Sequence, residues 1–536
     1  MRVLSLCIAL LSWAGPAWAE EPKPLPFTEA RGGVAELTPA NTVPLYNGTL
    51  RLARVTWPDG IHPARVLGPN KTDPGHQALN SLYARGLAAG NSGDLYDNRD
   101  RGHSRLDPKA HPQFTHIRYG DAFRQQDYGL AGAFLTDRPL IGNSSTALTQ
   151  GIYWRSLPRI ALTRQGQAGA NRLYQAYLAG QIYVYPENRD HDPDHGDLIP
   201  ANTPYFLISQ GSSNSDLPHM EALAMIYAAY RPETKAFLHK NGLLAATTQM
   251  VYRRARQGVR SREAYLSGGA HPAVFRGSDI QLARMVGLAN AILPDEVPPL
   301  VQLKVLEETR ARPGIDYFGA ELSEVLFDTP SAIARIWRMS AGQRSMLVSA
   351  TGTRDPNGRE LRFDWVVLRG DPQRIAITPL PPDGSSARID ITWQDPGPVP
   401  GAPDVISPRI DIGVFANNGR HDSAPAFVSI LLPRHETRVY ETTSQGMLRP
   451  VSIDRQLARG GYADPAVFPD IRWRDSFHYR DDGSPNGWTR HRPSGTTEFT
   501  ASGYRLGPDG LPHPVRYSVG KGRSGLPEVL EQSALP

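Results

Sequence analysis

The sequence predicts a multidomain protein in which a helix-rich α+β domain precedes a β-sandwich and a small hairpin-rich region, with α/β as the alternative class for the first domain. Three observations indicate this organisation. The chain has 536 residues, a length that suggests roughly two to four domains. Helical patterns dominate residues 46–340. From residue 341 onward the pattern changes to short alternating segments that are separated by Gly, Pro and Asn turns.

The composition is that of a globular chain. Hydrophobic residues make up 40% and charged residues 21% of the chain, and the 50 Gly and 48 Pro indicate many loops. The net charge of +5 comes mainly from arginines that are spread singly along the sequence. Because the basic residues form no long run, we expect no nucleic-acid binding.

The first residues predict export. MRVLSLCIALLSWAGPAWAEE places one arginine before an apolar run of about a dozen residues, which is the pattern of a secretory signal peptide over residues 1–19 with cleavage after Ala19. No later stretch reaches the roughly 18 apolar residues that a membrane-spanning helix needs. We therefore expect a periplasmic or extracellular bacterial protein without a membrane span. Cys7 is the only cysteine, so the mature chain is expected to have no disulfide.

Several elements can be placed in order along the first part of the chain. Residues 20–45 are rich in Pro, Glu and Thr and are expected to form a linker or arm. A first helix is predicted in DPGHQALNSLYARGLAAG, which Asp73 can cap and Gly90 can end. TPYFLISQG then predicts a strand and LPHMEALAMIYAAY a helix with Asp216 or Ser215 as its cap. Further helices are expected at about 232–240, 243–257 and 278–292.

Residues 341–432 have the pattern of a two-sheet sandwich. Their short β-branched segments follow one another about 10 to 20 residues apart. Trp365 alternates with Phe363 and Val367, so all three side chains are expected to face the core.

The same segment resembles the PKD-type, immunoglobulin-like domains of exported bacterial proteins. The resemblance rests on SATGTRDPNGRELRFDWVV, with its Asp-Pro-x-Gly turn before an aromatic-x-Trp strand, and on VFANNGRHDSAPAFVSI, with its late Asn/Gly turn. It departs from the family in the middle, where TWQDPGPVPGAPDVISPR is longer and more Pro-rich. The resemblance implies a spacer or adhesion module in which Asp355 and Asn357 form a turn.

Residues 433–536 predict two or three hairpins followed by an unstructured tail. Aromatic segments alternate there with DDG, SPNG, ASG and PDG turns. Trp473, Tyr479 and Trp488 are candidates for a platform that binds sugar rings. The alternative is that these aromatic side chains form the small core that holds the hairpins together.

The stretch ENRDHDPDHGD is the candidate metal site. It offers carboxylate oxygens in a turn-forming segment, the arrangement of a calcium loop, through Asp190, Asp192, Asp194 and Asp197. The stretch does not have the spacing of an EF-hand. A mixed site for another metal that includes His191 and His195, and a solvated loop without metal, stay open.

The stretch AGNSGDLYDNRDRGHS is the candidate catalytic site. Asp94, Asp97 and Asp100 follow one another at three-residue spacing, so two of these carboxylates could face one pocket with His103 as a proton shuttle. Glycoside hydrolysis needs such a carboxylate pair. The alternative is a loop whose Asp and Asn side chains organise tight turns.

Other catalytic and cofactor motifs are incomplete. IGNSSTALTQG and ISQGSSNSD contain serines after strand-like segments, but both lack the G-x-S-x-G of a nucleophile elbow. No phosphate-binding loop and no well-placed G-x-G-x-x-G occurs, so no nucleotide or nicotinamide cofactor is expected.

Two functions stay open, and the sequence does not decide whether the chain is an enzyme. The first is an exported surface or periplasmic binding or scaffold protein, stiffened by calcium, whose partner is a polysaccharide or another cell-envelope component. The visible modules, which are of binding or spacer type, favour it. The alternative is a secreted hydrolase that acts on a polysaccharide or cell-wall polymer through the Asp/His loops of the 46–340 domain.

Overall fold

The structure is a computed structural model of the chain. It describes residues 27–28, 34–38, 42–45, 50–53, 71–91, 93–99, 104–107, 109–120, 133–136, 138–144, 166–187, 200–211, 214–316, 322–399, 402–433, 435–456, 468–469, 471–521 and 527–533. The helices in these ranges are α1 Pro74–Ala84, α2 Gly166–Leu178, α3 Leu217–Ala229, α4 Pro232–Lys240, α5 Leu244–Arg254, α6 Arg262–Tyr265 and α7 Leu282–Ala291.

The first ten strands belong to the N-terminal part of the chain. They are β1 Phe27–Thr28, β2 Val34–Leu37, β3 Thr42–Leu45, β4 Leu50–Ala53, β5 Leu95–Asn98, β6 Thr115–Tyr119, β7 Ala133–Thr136, β8 Leu140–Asn143, β9 Gln181–Pro186 and β10 Phe206–Ser209.

The remaining strands follow α7. They are β11 Lys304–Glu308, β12 Val325–Thr329, β13 Ala332–Ile336, β14 Gln343–Ser349, β15 Arg362–Arg369, β16 Ile375–Leu380, β17 Ser386–Thr392, β18 Gly397–Val399, β19 Ala402–Ser407, β20 Arg409–Asn417, β21 Ala426–Leu431, β22 Glu436–Thr442, β23 Leu448–Arg455, β24 Phe468–Pro469, β25 Trp473–Tyr479, β26 Pro485–Arg492, β27 Gly495–Phe499, β28 Arg505–Leu506, β29 Pro512–His513, β30 Val515–Lys521 and β31 Pro527–Ser533.

The N-terminal part of the chain is α/β. Its main sheet has the strand order β1-β2-β6-β5-β8-β9-β10, and each neighbouring pair from β2 to β10 is parallel. Strands β8 and β10 are buried along their whole length, as is typical of a parallel sheet that helices cover. The α+β class favoured by the helical patterns is therefore corrected to α/β, because parallel strands this short leave little periodicity in the sequence.

Helix α1 forms where its capping signal predicts it. The Asp73 side chain accepts hydrogen bonds from the backbone N–H groups of Gly75 and His76, which satisfies donors of the first turn. The helix ends at Ala84 rather than at Gly90. It packs against α3 and α7. Helix α3 is almost entirely buried, so it lies at the centre of the N-terminal core.

Part of the segment 20–45, which was expected to be a linker or arm, lies within the main sheet. Strand β2 pairs in parallel with β6, and the side chains of Ala35 and Leu37 are fully buried. A four-residue strand among prolines leaves no recognisable alternation, which explains why the composition pointed to a linker.

The middle of the chain contains two sheets around one core. Their strand orders are β11-β14-β17-β16 and β12-β13-β21-β20-β15. Trp365 lies in the core that both sheets share, and Phe363 and Val367 pack against it, which confirms the expected orientation of these three side chains. Strands β11, β12 and β13 precede residue 341, so both sheets extend across the boundary expected there.

The C-terminal part of the chain is β-rich, as the sequence predicts. Strands β22, β23 and β25 to β29 form a seven-stranded antiparallel sheet. The expected unstructured tail contains strand β31, which pairs along its whole length with β30. The pairing partner lies next to it in sequence and supplies the backbone hydrogen bonds that a free tail would lack.

The N-terminal and middle regions share a continuous core. Phe327 and Phe415 of the middle sheets belong to the same buried cluster as the N-terminal helices. The Tyr265 hydroxyl donates to the Ser423 carbonyl at 2.7 Å, which fixes α6 against the sheet. In the ranges given above, no helix has both the length and the apolar character to cross a membrane.

Candidate active site

Buried polar side chains gather where the parallel strands end. Strands β5, β6, β8, β9 and β10 run in the same direction, so their carboxyl ends share one edge of the sheet. In open α/β sheets, ligands bind outside this edge. We define the carboxyl-edge cluster as six residues that this arrangement brings together: Asp97, Arg99, Tyr119, Asn143, Tyr183 and Asp216.

Asp97 is the most heavily hydrogen-bonded carboxylate of the cluster. Its Oδ2 lies 2.7 Å from Nε of Arg99. The Tyr119 hydroxyl lies 2.7 Å from both carboxylate oxygens, and the Tyr183 hydroxyl donates to Oδ2 at 2.5 Å. The Asp97 side chain is fully buried. The adjacent guanidinium and the two hydroxyl donors fix the orientation of this carboxylate.

A glycine makes the contact between Tyr183 and Asp97 possible. Gly142 lies beside Asp97 on one side and beside Tyr183 on the other in the strand register. A Cβ atom at Gly142 would lie 2.4 Å from the Tyr183 ring and 2.6 Å from the Asp97 carbonyl oxygen. Any larger residue would displace the ring, so Gly142 allows the tyrosine to reach across β8.

Asp216 directs its carboxylate at the sheet rather than at its own helix. The sequence offers Asp216 or Ser215 as the cap of α3, but the Asp216 side chain makes no capping hydrogen bond. Instead, its Oδ2 accepts a hydrogen bond from the Asn143 amide at 2.8 Å. Both side chains are fully buried. A second carboxylate is thus held at the end of β8.

The two carboxylates influence the same tyrosine. Burial raises the pKa of Tyr96 to about 12, and the negative charges of Asp216 and Asp97 add to this increase. Burial also raises the pKa of Tyr119 and of Tyr183 well above the usual range. All three hydroxyls therefore stay protonated at neutral pH, where those of Tyr119 and Tyr183 donate hydrogen bonds to Asp97.

The structure separates Asp94 from Asp97. Asp94 directly precedes β5 at the amino edge of the sheet, where its Oδ2 accepts a hydrogen bond from Lys235 at 2.8 Å. Burial raises the pKa of Asp94, and the adjacent Lys235 opposes that increase. The two aspartates are three residues apart on an extended segment, about 10 Å, and do not face one pocket. Asp100 and His103 lie outside the described residues.

The predicted calcium ligands also lie outside the described residues, namely Asp190, Asp192, Asp194 and Asp197. Within the part of the chain that the structure describes, no group of three or more His, Cys, Asp or Glu residues is arranged to hold a metal ion. Calcium binding by residues 190–197 stays a prediction.

The three C-terminal aromatic residues do not form an exposed platform. Trp473 and Trp488 are only 2% and 4% exposed. Trp488 stacks on Phe499 with ring centroids 5.0 Å apart, and the Tyr479 hydroxyl donates to the Pro450 carbonyl at 2.7 Å. The two tryptophans therefore belong to the core of the sheet. Tyr479 is partly buried, and the Arg449 guanidinium lies 4.4 Å from the centre of its ring.

Sequence reasoning missed most of the cluster because its members come from different strands. Arg99, Tyr119, Asn143 and Tyr183 are far apart in sequence and form no motif. Asn143 follows an apolar strand segment directly, and Asp216 follows the strand β10 closely. A polar residue just after each of two buried strands was the one local signal that pointed to this edge.

Comparisons with known proteins give little further information. No family model matches the chain, and no curated protein matches it. Among solved structures, the chain is similar to a nucleoside hydrolase-related hypothetical protein from Saccharophagus degradans that is described as associated with carbohydrate metabolism. The identity is 13%, the match covers 55% of this chain and 71% of that one, and the TM-score is 0.17. A TM-score this low does not establish a shared fold.

Proposed function

We propose that the chain is a hydrolase that cleaves glycosidic bonds, with the carboxyl-edge cluster as its active site. The observation that carries the proposal is the pair of buried carboxylates, Asp97 and Asp216, at the edge of the parallel sheet where ligands bind in α/β proteins. Burying two acidic groups is costly unless they are paired or have a function. Glycoside hydrolysis uses two carboxyl groups beside the scissile bond.

The surroundings of the two carboxylates suit different roles. The carboxylate of Asp97 is fixed in one orientation by hydrogen bonds from Arg99 and two tyrosine hydroxyls, so it is suited to stabilise the positive charge that develops on the sugar ring. Asp216 accepts a hydrogen bond from the neutral amide of Asn143, and we assign proton transfer to it. In its protonated form it donates a proton to the leaving oxygen as the C–O bond breaks. Water then adds to the sugar carbon and returns a proton to Asp216.

Saccharide binding without cleavage is the second candidate. It is favoured by the contacts of Asp97, because a carboxylate that accepts hydrogen bonds from Arg99, Tyr119 and Tyr183 has little remaining capacity to interact with a substrate. In this case the cluster would orient hydrogen-bond donors around sugar hydroxyls. Binding that occurs without turnover would distinguish it from the hydrolase.

An assay on a panel of aryl glycosides and polysaccharides tests the proposal. We expect turnover by the wild-type chain and a decrease in kcat/KM of about 100- to 10,000-fold in Asp216→Asn, the range for general acid–base groups. Asp94→Asn is the matched control, because it removes another buried carboxylate of the same domain. If both variants lose activity to the same extent per folded molecule, the assignment of Asp216 is wrong. If the wild type binds a glycan that it does not cleave, the second candidate replaces the first.

We further propose that the middle sheets include a PKD-type, immunoglobulin-like module. Three hydrogen bonds to Asp355 support this interpretation. Its Oδ1 accepts from the backbone N–H groups of Asn357 and Arg359, and its Oδ2 accepts from the Asn418 amide. The early and late turns that carry the resemblance thus contact each other. An experimental structure in which these sheets have a different strand order from PKD domains would contradict it.

Export of the chain and calcium binding by residues 190–197 are part of the same proposal. Recovery of a periplasmic form that begins at Glu20 would support export, whereas a full-length cytoplasmic form would contradict it. Stoichiometric calcium and a lower melting temperature after treatment with EDTA would support the calcium loop. A preparation that contains no calcium, and whose melting temperature is the same before and after EDTA, would contradict calcium binding by this loop.

A further inference from the structure

A second polar site lies in the β-rich half of the chain. A cavity of about 730 Å³ opens where the two middle sheets meet the C-terminal sheet. One wall comes from the end of β15 and the segment after β17, and the opposite wall comes from β22 and β23. The volume falls within the range of sites that enclose a small organic ligand. It is larger than an inorganic ion requires.

Four arginines and two aspartates line this arginine-lined cavity, namely Arg369, Arg374, Arg409, Arg438, Asp371 and Asp395. Arg374 lies 3.8 Å from Asp371, and Arg438 lies 2.5 Å from Glu436. Two lining guanidiniums share a single carboxylate, Asp411, which is buried behind them: Arg409 lies 2.7 Å from it and Arg369 lies 3.7 Å from it. Arg409 takes the close, two-pronged contact through Nε and Nη2. Arg369 is therefore the more loosely held cation, and its other hydrogen bond is to the neutral Ser407 hydroxyl.

The electrostatic surroundings of Arg369 favour the binding of an anion beside it. Burial and the adjacent Arg409 lower the pKa of Arg369 to about 10, and Asp411 opposes this decrease. The group is still protonated at neutral pH. An anion in the cavity would stabilise both guanidiniums, because opposite charges at short range are strongly favourable where water is partly excluded.

Two further donors of the cavity wall have no acceptor among the described residues. They are the indole Nε1 of Trp393 and the amide Nε2 of Gln394, whose residues line the cavity and are 5% and 8% exposed. The Gln394 amide is oriented, because its Oε1 accepts a hydrogen bond from the Asp371 backbone N–H at 2.6 Å. A buried donor without an acceptor is unfavourable, so a ligand in the cavity that accepted hydrogen bonds from these two groups would be stabilised.

The remaining wall is suited to a sugar. Tyr440 lines the cavity and is only partly buried, so its ring can pack against the apolar face of a pyranose. The hydroxyls of Ser407 and Thr442 also line it and can both donate to and accept from sugar hydroxyls. Cationic, aromatic and hydroxyl groups therefore lie around one space.

We propose that this cavity binds an acidic saccharide, with Arg369 as the group that recognises its carboxylate. Gln394 and the hydroxyl side chains then hydrogen-bond to the sugar hydroxyls, and Tyr440 packs against the ring. The inference does not depend on glycosidic cleavage at the carboxyl edge. It assigns to the β-rich half of the chain a binding site of its own.

Titration calorimetry on the full chain with three probes tests the proposal. The probes are digalacturonate, the corresponding neutral galactose disaccharide and inorganic sulfate. We expect digalacturonate to bind at least about tenfold more tightly than either of the other two, since a hydrogen bond to a charged group contributes more than a neutral one. The affinity is expected to decrease as the salt concentration rises.

Two variants and a matched control assign the binding to this cavity. Arg369→Gln removes the loosely held charge and is expected to weaken digalacturonate binding by at least about tenfold. Arg374→Gln, at a more exposed position on the cavity wall, serves as a second test in case Arg369→Gln does not fold. Arg388→Gln, an exposed arginine of β17 outside the cavity, is expected to leave the affinity within about twofold.

Three results would overturn the proposal. Equal affinity for the acidic and neutral disaccharides would show that charge recognition is absent. Sulfate binding as tight as digalacturonate binding would show an oxyanion site without saccharide recognition. An unchanged affinity in both folded cavity variants would show that the saccharide binds elsewhere. Loss of glycoside turnover in Asp216→Asn is measured separately, so failure of either proposal is distinguishable from failure of the other.

Discussion

Asp94 and Asp97 lie at opposite ends of the same short strand, and their surroundings differ. Both side chains are buried. Asp94, at the amino end, pairs with one lysine of α4, Lys235, which also donates to the Gly90 carbonyl at 2.6 Å. Asp97, at the carboxyl end, is held by an arginine and by tyrosines of two other strands. The same residue type thus fastens a helix at one edge of the sheet and joins a polar cluster at the other.

The difference shows how position in an α/β sheet separates stability from chemistry. The ion pair between Asp94 and Lys235 is structural. Both side chains are buried, and Lys235 donates hydrogen bonds to Asp94 and to the Gly90 carbonyl. The carboxyl-edge cluster, by contrast, lies at the carboxyl edge of the parallel sheet, outside which ligands bind in α/β proteins. Four predictions test this contrast.

Of these four predictions, the largest effect is expected for Asp97→Asn. The substitution removes the charge that we assign to stabilisation of the transition state, so kcat/KM is expected to fall by about 100- to 1,000-fold. It also leaves the guanidinium of Arg99, 4% exposed, without its carboxylate, so the melting temperature is expected to fall as well. Steady-state kinetics on the folded fraction separates the two effects. Wild-type kcat/KM in folded Asp97→Asn would contradict the role given to this carboxylate.

Asp94→Asn is expected to affect stability alone. The substitution breaks a buried ion pair and leaves Lys235, whose side chain is 11% exposed, without a counter-charge. The free energy of unfolding is expected to decrease by about 3–5 kcal/mol, as measured by urea denaturation. The kcat/KM of the folded variant is expected to stay within about twofold of wild type, since the residue lies about 10 Å from Asp97. A selective loss of activity would place Asp94 in the site after all.

Each edge also holds a buried histidine that makes stability depend on pH. Burial lowers the pKa of His219, in the first turn of α3, and of His111, before β6, to about 4 in each case. Between pH 6.5 and 4 the unfolded chain binds protons at these positions that the folded chain does not. The stability is therefore present above pH 6.5 and is lost as the pH falls toward 4, by about 1.4 kcal/mol per pH unit for each histidine.

Denaturation at several pH values measures this dependence. His219→Gln is expected to make the curve shallower between pH 6.5 and 4. A slope that is the same in the wild type and in His219→Gln would show that this histidine is not buried in its neutral form.

The smallest effect is expected outside the α/β region. Tyr479→Phe removes the hydrogen bond to the Pro450 carbonyl and is expected to lower the free energy of unfolding by about 1 kcal/mol, without affecting saccharide binding. Because the carboxyl-edge cluster and the arginine-lined cavity do not include Tyr479, glycan affinity serves as the readout. A loss of glycan affinity in Tyr479→Phe would indicate that the aromatic hairpins bind saccharide after all.

Much of the helical framework could be predicted from the sequence, because capping and amphipathic patterns are local. Asp73 caps α1 as its position before Pro74 indicates, and α3 begins close to where the pattern predicts it. The order of the main sheet could not be predicted in this way. The parallel strands pair with partners that are distant in sequence, and several are only four residues long.

Of the residues in the candidate site, only the aspartates Asp97 and Asp216 could be singled out from the sequence. Asp97 lies in a conspicuous acidic stretch, but local spacing grouped it with Asp94, which the strand places at the opposite edge. Asp216 was predicted as a cap because it precedes a helix. Its hydrogen bond to Asn143 depends on the juxtaposition of β8 with the start of α3, which no pattern within either segment encodes. Trp488 was ambiguous for the same reason, because Phe499 on the neighbouring strand decides whether its face is free.

The most direct test of the central claim is a crystal structure of Asp216→Asn in complex with a saccharide that the wild-type chain cleaves. We predict a sugar ring at the carboxyl edge of the parallel sheet, with an oxygen within about 3 Å of the side chain of Asn143 or Asp97. A sugar bound beside Asp94 and Lys235 at the amino edge, or bound elsewhere with the carboxyl edge empty, would contradict the account.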